Sequence, residues 1–246
     1  MPSLLRPRQV RPTDPYLRWV VSDREPPALV HRGENVAWLG RAARPGEAWI
    51  TGLGDEASTV VALVEELARA HDVDGVTVSE PAFALLPDHL RSPDPGHWCF
   101  WTLDPAGLEP VETSAVGLSL DDGRIAALLE HSDSAHIFPG DPAIVRWSGV
   151  LVDERLVAVA GQVTERSGAA HLVSVCTHPE FRGRGLAGQA CRHALQAAVA
   201  EGAPMLVLEM YVANEAGRRT YRALGFTEVG RYFSGLLAHA LPPRRP

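Results

Sequence analysis

The chain has 246 residues, of which 46% are hydrophobic and 22% are charged, and its formal net charge is −7. These values are typical of a globular protein with one large core or two smaller ones, and the negative charge argues against a nucleic-acid partner. No apolar run approaches the length of a membrane span, and the three cysteines form neither a disulfide pattern nor a zinc motif. The sequence therefore predicts a cytoplasmic protein that binds no membrane and holds no metal. All 23 basic residues are arginine, which excludes a lysine nucleophile or Schiff base.

The first half of the chain predicts a flexible arm followed by a small α/β domain. The arm covers residues 1–15, where four prolines are spaced along the chain, and the domain covers residues 16–110. Its predicted elements are the strands LRWVV, ALVHR, VAWLG and EAWIT, a helix over 56–70, the strand GVTVS, a loop over 87–96 and the strand HWCFWTLD. A linker near residues 105–117 is the predicted boundary.

The second half, residues 111–246, predicts a similar order of elements. A helix over 120–130 precedes two strands joined at Asp153 and Glu154. A strand ending near Thr177, a glycine-rich loop and a helix over 186–200 come next. The strand MLVLEMYV, a helix over 215–224 and the closing strand FTEVGRYFSGLL complete the domain. The chain is therefore predicted to be an α/β protein with two domains.

The stretch VSVCTHPEFRGRGLAG, residues 173–188, carries the main functional signal. Glycines let the backbone approach a ligand, and the free N–H groups at a helix start favour an anion such as a phosphate. Gly183, Gly185 and Gly188 satisfy the G-x-G-x-x-G pattern of dinucleotide sites. However, residues 178–182 separate the pattern from the strand, and Glu209 lies mid-strand rather than at a strand end. The dinucleotide interpretation is therefore the less favoured one.

The same loop resembles that of the GNAT superfamily of N-acetyltransferases. The family's pyrophosphate loop, Q/R-x-x-G-x-G/A, matches Arg182, Gly185 and Ala187, and NEAGRRTYRALGF resembles its second signature. This second signature has an asparagine, a tyrosine seven residues later and an L-G-F that closes the helix. The resemblance covers about residues 115–235 and implies a mixed, mostly antiparallel central sheet flanked by helices. The N-terminal half carries neither signature, so whether it is a degenerate second GNAT-like domain stays open.

The resemblance implies acetyl-CoA as the cosubstrate. Its pyrophosphate would lie on the loop N–H groups, and its pantetheine arm would pair with the backbone of the preceding strand, whose side chains are then incidental. Asn214 would contact the cofactor or cap a helix. Cys176 is expected to pack rather than to act as a nucleophile. The candidate cofactor-binding residues are Val175, Cys176, Thr177, Arg182, Gly183, Arg184, Gly185, Leu186, Ala187, Gly188 and Asn214.

Transfer of an acyl group to an amine requires a base, because a lysine-like amine has a pKa of ~10.4. Strand alternation places Glu209 on one face of an otherwise apolar strand, and an unpaired carboxylate there must face a wet cleft or a cation. Glu209 is therefore the predicted base; a salt bridge to Arg218 or Arg222 is the structural alternative. Tyr221 matches the family's general acid, which would protonate the departing thiolate, and the alternative is a tyrosine that packs on the sheet.

A loop in the second half contains His131, Asp133 and His136. These residues lack a convincing third and fourth ligand for a metal site. The resemblance places the loop beside the acceptor cleft, so they and Trp147 are expected to contact the acceptor.

The sequence as a whole predicts an N-acetyltransferase that moves an acetyl group from acetyl-CoA to the amine of a small molecule or peptide, by direct transfer without a metal. A non-catalytic acyl-CoA-binding module and an NAD(P)-binding oxidoreductase are the alternatives. The identity of the amine, the length of the acyl group and the presence of a homodimer stay open.

Overall fold

The computed structural model describes residues 5–21, 24–41 and 47–240. They form two compact units. Unit 1 contains the described parts of residues 1–99, 211–213 and 230–246, and unit 2 contains Phe100–Met210 and Asn214–Val229. The helices are α1 (Pro7–Val10), α2 (Pro15–Trp19), α3 (Ala57–Ala70), α4 (Glu80–Leu85), α5 (Gly123–Leu129), α6 (Leu186–Ala200) and α7 (Glu215–Ala223). The strands are β1 (Ala28–Arg32), β2 (Asn35–Arg41), β3 (Ala48–Leu53), β4 (Gly75–Ser79), β5 (Gly96–Leu103), β6 (Val116–Leu118), β7 (Ile144–Val152), β8 (Arg155–Thr164), β9 (Ala170–Thr177), β10 (Leu206–Tyr211) and β11 (Thr227–Leu236).

The sheet of unit 1 is mostly antiparallel. Strands β1, β2 and β3 form a meander, β4 pairs parallel with β3, and the C-terminal part of β11 pairs antiparallel with β4. Helix α3 makes the parallel crossover, because its apolar residues recur at helical spacing and bury one face. The resulting core contains Val60 and Leu67 of α3 together with Val76 and Val78 of β4.

The N-terminal residues form two short helices, whereas the sequence predicts an arm to residue 15 and then a strand over LRWVV. Pro7 and Pro15 each stand at the first helical turn, where the missing N–H costs nothing. Asp14 caps α2 by accepting a hydrogen bond from the Leu17 N–H at 3.1 Å, and Leu17 is fully buried. The predicted strand is therefore wrong, because a capped, proline-started turn outweighs the β-propensity of a short apolar run.

The sheet of unit 2 is also mostly antiparallel. Strands β6 to β9 pair in antiparallel order, β10 joins β9 in parallel, and β5 neighbours β10. The β7–β8 hairpin turns at Asp153 and Glu154, as predicted, and both residues have positive φ. Helix α5 packs on β8 and β9, and α6 packs on β7, β8 and β9. Ile125 and Leu128 of α5 share one core with Trp147 of β7.

The same succession of elements occurs twice along the chain. An antiparallel three-stranded meander is followed by a helix, a strand parallel to the third, a second helix and a further strand. The first copy runs β1-β2-β3-α3-β4-α4-β5, and the second runs β7-β8-β9-α6-β10-α7-β11. This repetition is what a degenerate copy of one domain would leave, and that origin remains a hypothesis.

The predicted fold class, an α/β protein with mostly antiparallel sheets and flanking helices, is confirmed. The helix predicted over 186–200 coincides with α6, whereas the short helix α4 was not predicted. The domain ranges and the linker near residues 105–117 stay predictions, and both compact units are discontinuous in sequence. Among the described residues, no helix is both long and apolar enough to cross a membrane.

Candidate active site

The glycine-rich loop of unit 2 connects the end of β9 to the start of α6. Gly183 has a φ of 77° and Gly185, the N-cap of α6, has a φ of 72°, a region that disfavours L side chains. A Cβ built on either residue would meet nothing within 4 Å, so the space beside the loop is open. The N–H groups of Leu186, Ala187 and Gly188 begin the helix and have no acceptor within it. The loop therefore presents several donors to one open space.

The two arginines of the loop are tied to backbone carbonyls. Arg182 donates to the Thr177 carbonyl at 3.2 Å and to the His131 carbonyl at 3.1 Å. Arg184 donates to the Glu180 carbonyl at 3.1 Å, and its guanidinium lies 5.0 Å from the centre of the Phe181 ring. Arg182 therefore joins the end of β9 to the loop after α5, and Arg184 is held against the Glu180 and Phe181 part of the loop.

Strands β9 and β10 separate where the loop begins. Their parallel pairing joins Ala170 to Leu206, His171 to Val207 and Leu172 to Leu208. In the described part of the chain, no register pair between these strands lies beyond Leu172. The β10-side edge of residues 173–177, which include the predicted Val175, Cys176 and Thr177, is therefore open to a ligand that pairs with a strand.

A β-bulge at Ser174 was not predicted from the sequence. Ser174 has a φ of 47°, and the β8–β9 register shifts beside it. Its hydroxyl donates to the Ile137 carbonyl at 2.7 Å and accepts from the Ile137 N–H at 3.2 Å. Because the bulge changes the alternation of side chains, Val173 and Cys176 share one core. A serine in an apolar strand carries no signal that would reveal such a bulge.

Cys176 is a packing residue, as expected. Its thiol is buried and donates to the Leu128 carbonyl at 3.3 Å. Burial raises the pKa of this thiol, and the nearby Arg182 only partly opposes the effect. A neutral, enclosed thiol is a poor nucleophile.

Glu209 lies in the middle of β10 with Val207 on the same face. Its side chain keeps an exposed surface, yet protein atoms surround it on its other sides, as in a cleft. Desolvation raises the pKa of its carboxyl; His171 and His136 act in the opposite direction, and Glu165 adds to the increase. A carboxylate with a raised pKa and an open side is suited to accept a proton.

An ion pair beside Glu209 was also missed by sequence reasoning. The His171 Nδ1 lies 2.7 Å from the Glu165 Oε1, and the side chains are 11% and 21% exposed. His171 pairs with Val207 in the β9–β10 ladder, so its side chain is on the same sheet face as Glu209. Glu165 follows the end of β8, and only a tertiary arrangement brings it to His171.

Tyr221 and Asn214 lie on α7, which follows β10. Tyr221 is buried, which raises the pKa of its phenol, and its ring meets that of Phe226 edge-on at 6.1 Å. A phenol held neutral in this way can donate a proton. Asn214 caps α7 by accepting from the Gly217 N–H at 2.8 Å, so its capping role is present.

The structural alternative for Glu209, a salt bridge to Arg218 or Arg222, is not observed among the described residues. Arg218 forms ion pairs with Glu228 and Glu215 rather than with Glu209. The charged groups that act on Glu209 are two histidines and Glu165. Arg222 lies over the Trp101 ring, 5.7 Å from its centre.

The expectation that Trp147 contacts the acceptor is wrong. It is fully buried and packs beneath α5, because Gly161 on the neighbouring strand leaves room for its ring. His136 remains in the loop after α5 and acts electrostatically on Glu209. Within the described residues, no group of three or more His, Cys, Asp or Glu side chains could hold a metal ion.

A groove of about 470 Å³ runs between α6 and α7 in unit 2. Its lining includes Gly185, Gly188, Gln189, Arg192 and Thr220. The groove therefore begins at the same helix start that the glycine loop opens.

Comparison with known proteins agrees with this geometry. The Acetyltransferase (GNAT) family matches residues 118–226. A GNAT-family structure from Novosphingobium aromaticivorans DSM 12444 is 26% identical, with a TM-score of 0.54 over 72% of this chain and 80% of that one. A GCN5-related N-acetyltransferase from Kribbella flavida is 18% identical, with a TM-score of 0.57 over 86% and 89% of the two chains, and shares the fold. A GNAT-family acetyltransferase from Colwellia psychrerythraea, 13% identical, shares it with a TM-score of 0.51 over 82% and 85%.

No curated protein sequence matches the chain. The family match spans the glycine loop, β10 and α7, which carry the donors, Glu209 and Tyr221 described above. GNAT proteins use an acyl-CoA as cosubstrate and an amine as acceptor. Residues 118–226 are therefore a GNAT acetyltransferase domain.

Proposed function

We propose that this protein is an N-acetyltransferase that moves an acetyl group from acetyl-CoA directly to the amine of a small molecule or peptide. The observation that carries the proposal is the position of Glu209: a carboxylate on an apolar central strand, open on one side and with a raised pKa. Such a group has a clear chemical use where an ammonium ion must lose its proton.

The glycine loop fits a diphosphate. Backbone N–H groups at the start of α6 converge on open space, and the helix dipole adds partial positive charge there. Arg182 and Arg184 add full charges beside it. Val175, Cys176 and Thr177 offer a free strand edge to the pantetheine arm, and the groove between α6 and α7 has room for the nucleotide end.

The acid and the base stand on consecutive elements. Glu209 of β10 accepts a proton from the acceptor ammonium, which frees the nitrogen lone pair for attack on the acetyl carbon. Tyr221 of α7 holds its phenolic proton because burial raises its pKa. Since a thiol has an ordinary pKa near ~8.5, the departing sulfur is a suitable acceptor for that proton.

The test is an acceptor screen. The protein is incubated with acetyl-CoA and a mixed pool of amines and peptides, free thiol is measured, and mass spectrometry identifies what has gained the acetyl mass. We expect thiol release that depends on an amine, and a large loss of kcat in Tyr221→Phe with acetyl-CoA affinity retained.

Three results would overturn the proposal. Thermal stabilisation by acetyl-CoA without thiol release from any amine would indicate an acyl-CoA-binding module. Stabilisation by NAD or NADP alone would indicate an oxidoreductase. Turnover with a longer acyl-CoA but not with acetyl-CoA would replace the proposed donor.

A further inference from the structure

The proposed transfer releases a proton that the products cannot hold. An acceptor amine that enters as an ammonium ion carries three protons on nitrogen, and the amide product carries one. The new C–N bond forms as the C–S bond breaks, and one of the two lost protons ends on the sulfur by way of the Tyr221 hydroxyl. The other proton passes to Glu209 and must reach solvent before the next turnover.

The open side of Glu209 is covered while the acceptor is bound, because the acceptor nitrogen must be within hydrogen-bond distance of the carboxylate to give up its proton. A proton that leaves Glu209 before the product does must therefore pass through the protein side of the cleft. The side chains found there decide which route is available.

The charged groups that act on the Glu209 carboxyl come from three elements. They are His171 of β9, Glu165 directly after β8 and His136 of the loop after α5. His171 lies on the sheet face of Glu209, one strand away, and its Nδ1 is 2.7 Å from the Glu165 Oε1. His136 contacts the Ser134 carbonyl at 3.3 Å, and among the described residues it has no carboxylate partner that would lead a proton away.

In the Glu165–His171 pair, Glu165 is the partner that is more accessible to water. The His171 side chain is 11% exposed, whereas that of Glu165 is 21% exposed. The hairpin holds Glu165 in place, because its N–H donates to the Ala169 carbonyl at 2.9 Å and its carbonyl accepts from the Gly168 N–H at 2.8 Å. A histidine whose Nδ1–H donates to a carboxylate presents Nε2 as an acceptor for a second proton.

We propose that Glu165 and His171 form a positioning pair that orients His171 towards Glu209 and carries the proton of Glu209 to solvent. The inference rests on the proposed function, since it assigns the exit of the proton that this function produces. Nε2 of His171 gains a proton as Nδ1 passes one to Glu165, so the imidazole ends neutral. The partly exposed Glu165 carboxyl then loses the proton to water.

The test compares His171→Gln and Glu165→Gln with two matched controls in unit 1. The controls are His31→Gln on β1 and Glu34→Gln in the exposed β1–β2 turn. Initial rates are measured over a range of pH, with saturating acetyl-CoA and with increasing imidazole. Thermal unfolding and the shift caused by acetyl-CoA report whether each variant folds and binds.

We expect kcat to fall about tenfold or more in both variants, a smaller effect than loss of the base itself, with an unchanged KM for acetyl-CoA. Imidazole should restore part of the rate in proportion to its concentration, because it can take the proton in place of His171. In His171→Gln the acidic limb of the kcat profile should move to higher pH, since His171 lowers the pKa of the Glu209 carboxyl. The controls should behave as the wild type does.

A wild-type kcat in both variants, or a loss that neither imidazole nor pH alters, would overturn the inference while wild-type transfer still supported the proposed function. A wild type that transfers nothing to any amine would overturn the proposed function and this inference with it. If His171→Gln does not fold, Glu165→Gln decides by its response to imidazole, because Glu165 is the more exposed partner.

Discussion

The loops that follow β3 and β9 occupy the same place in the two successions of elements, but they are built differently. Residues 54–56 join β3 to α3, whereas residues 178–185 join β9 to α6. In unit 1 the Asn35 Oδ1 accepts from the Glu56 N–H at 3.0 Å, and a Cβ built on Gly54 would clash with that oxygen. In unit 2 the corresponding glycines face open space. One helix start is closed by the protein's own side chain, and the other faces open space.

The parallel strands of the two units differ in the same way. In β4 the Thr77 hydroxyl accepts from the Trp49 indole N–H at 2.8 Å and bonds the Ser234 hydroxyl at 2.7 Å. In β10 the Glu209 carboxylate keeps an exposed side. The polar side chain on β4 is therefore satisfied within the protein, whereas the one on β10 keeps an open side.

The largest difference between the units should appear when the strand residues are replaced. Glu209→Gln should lower kcat by about 10²- to 10⁴-fold, the usual contribution of a general base, with acetyl-CoA affinity retained. Thr77→Val in unit 1 should leave kcat unchanged and lower stability, because the Trp49 N–H loses its acceptor. Steady-state kinetics and thermal unfolding measure both. Equal losses of kcat in Glu209→Gln and Thr77→Val would contradict the proposed difference between the two units.

The glycine loop provides a second test. Gly185→Ala should weaken acetyl-CoA binding by about tenfold, because a left-handed alanine costs about 1–2 kcal/mol and the loop would relax away from its open form. Gly202→Ala is the matched control, since Gly202 has a φ of 86° and equally open surroundings at the other end of α6. Calorimetric titration should show lost affinity only in the first variant. The same affinity in both would mean that the loop does not hold the cofactor.

The closed helix start of unit 1 should matter for stability alone. Asn35→Ala removes the acceptor of the Glu56 N–H and should cost about 1–3 kcal/mol of unfolding free energy, because Asn35 is buried and the amide loses its partner. Chemical denaturation measures the loss. A change in acetyl-CoA affinity would show instead that the unit 1 loop takes part in binding.

The smallest expected effect is the amount by which the charged Glu209 carboxylate lowers the free energy of unfolding. Its pKa is raised in the folded protein, so the unfolded chain releases the proton first, and stability falls as pH rises from the ordinary glutamate range through the raised value. Glu209→Gln should remove this fall and make the protein more stable at neutral pH. Unfolding free energies measured against pH for both proteins should diverge with increasing pH. Parallel curves would show that the folded protein does not raise the pKa of the Glu209 carboxyl.

The sequence predicted the elements around the site well where the local signals agreed. The helix over 186–200 has a glycine at its N-cap and small residues on its buried face, and the Asp153–Glu154 joint separates two β-prone runs. It failed at α2, where an apolar run with β-propensity is held in a helix by Pro15 and the Asp14 cap. It also misplaced Trp147, because a tryptophan beside a polar loop has the same sequence pattern whether it faces a cleft or a core.

The sequence by itself determined the order of the elements, the glycine loop and the placing of Glu209 on one strand face, because these depend on neighbours along the chain. Only the tertiary structure decided that Glu165 meets His171, that β9 and β10 separate after Leu172, and that Ser174 forms a bulge against Ile137. Each of these depends on strand register and on contacts between distant residues. The same reason explains why two similar successions of elements end with one helix start closed and the other open.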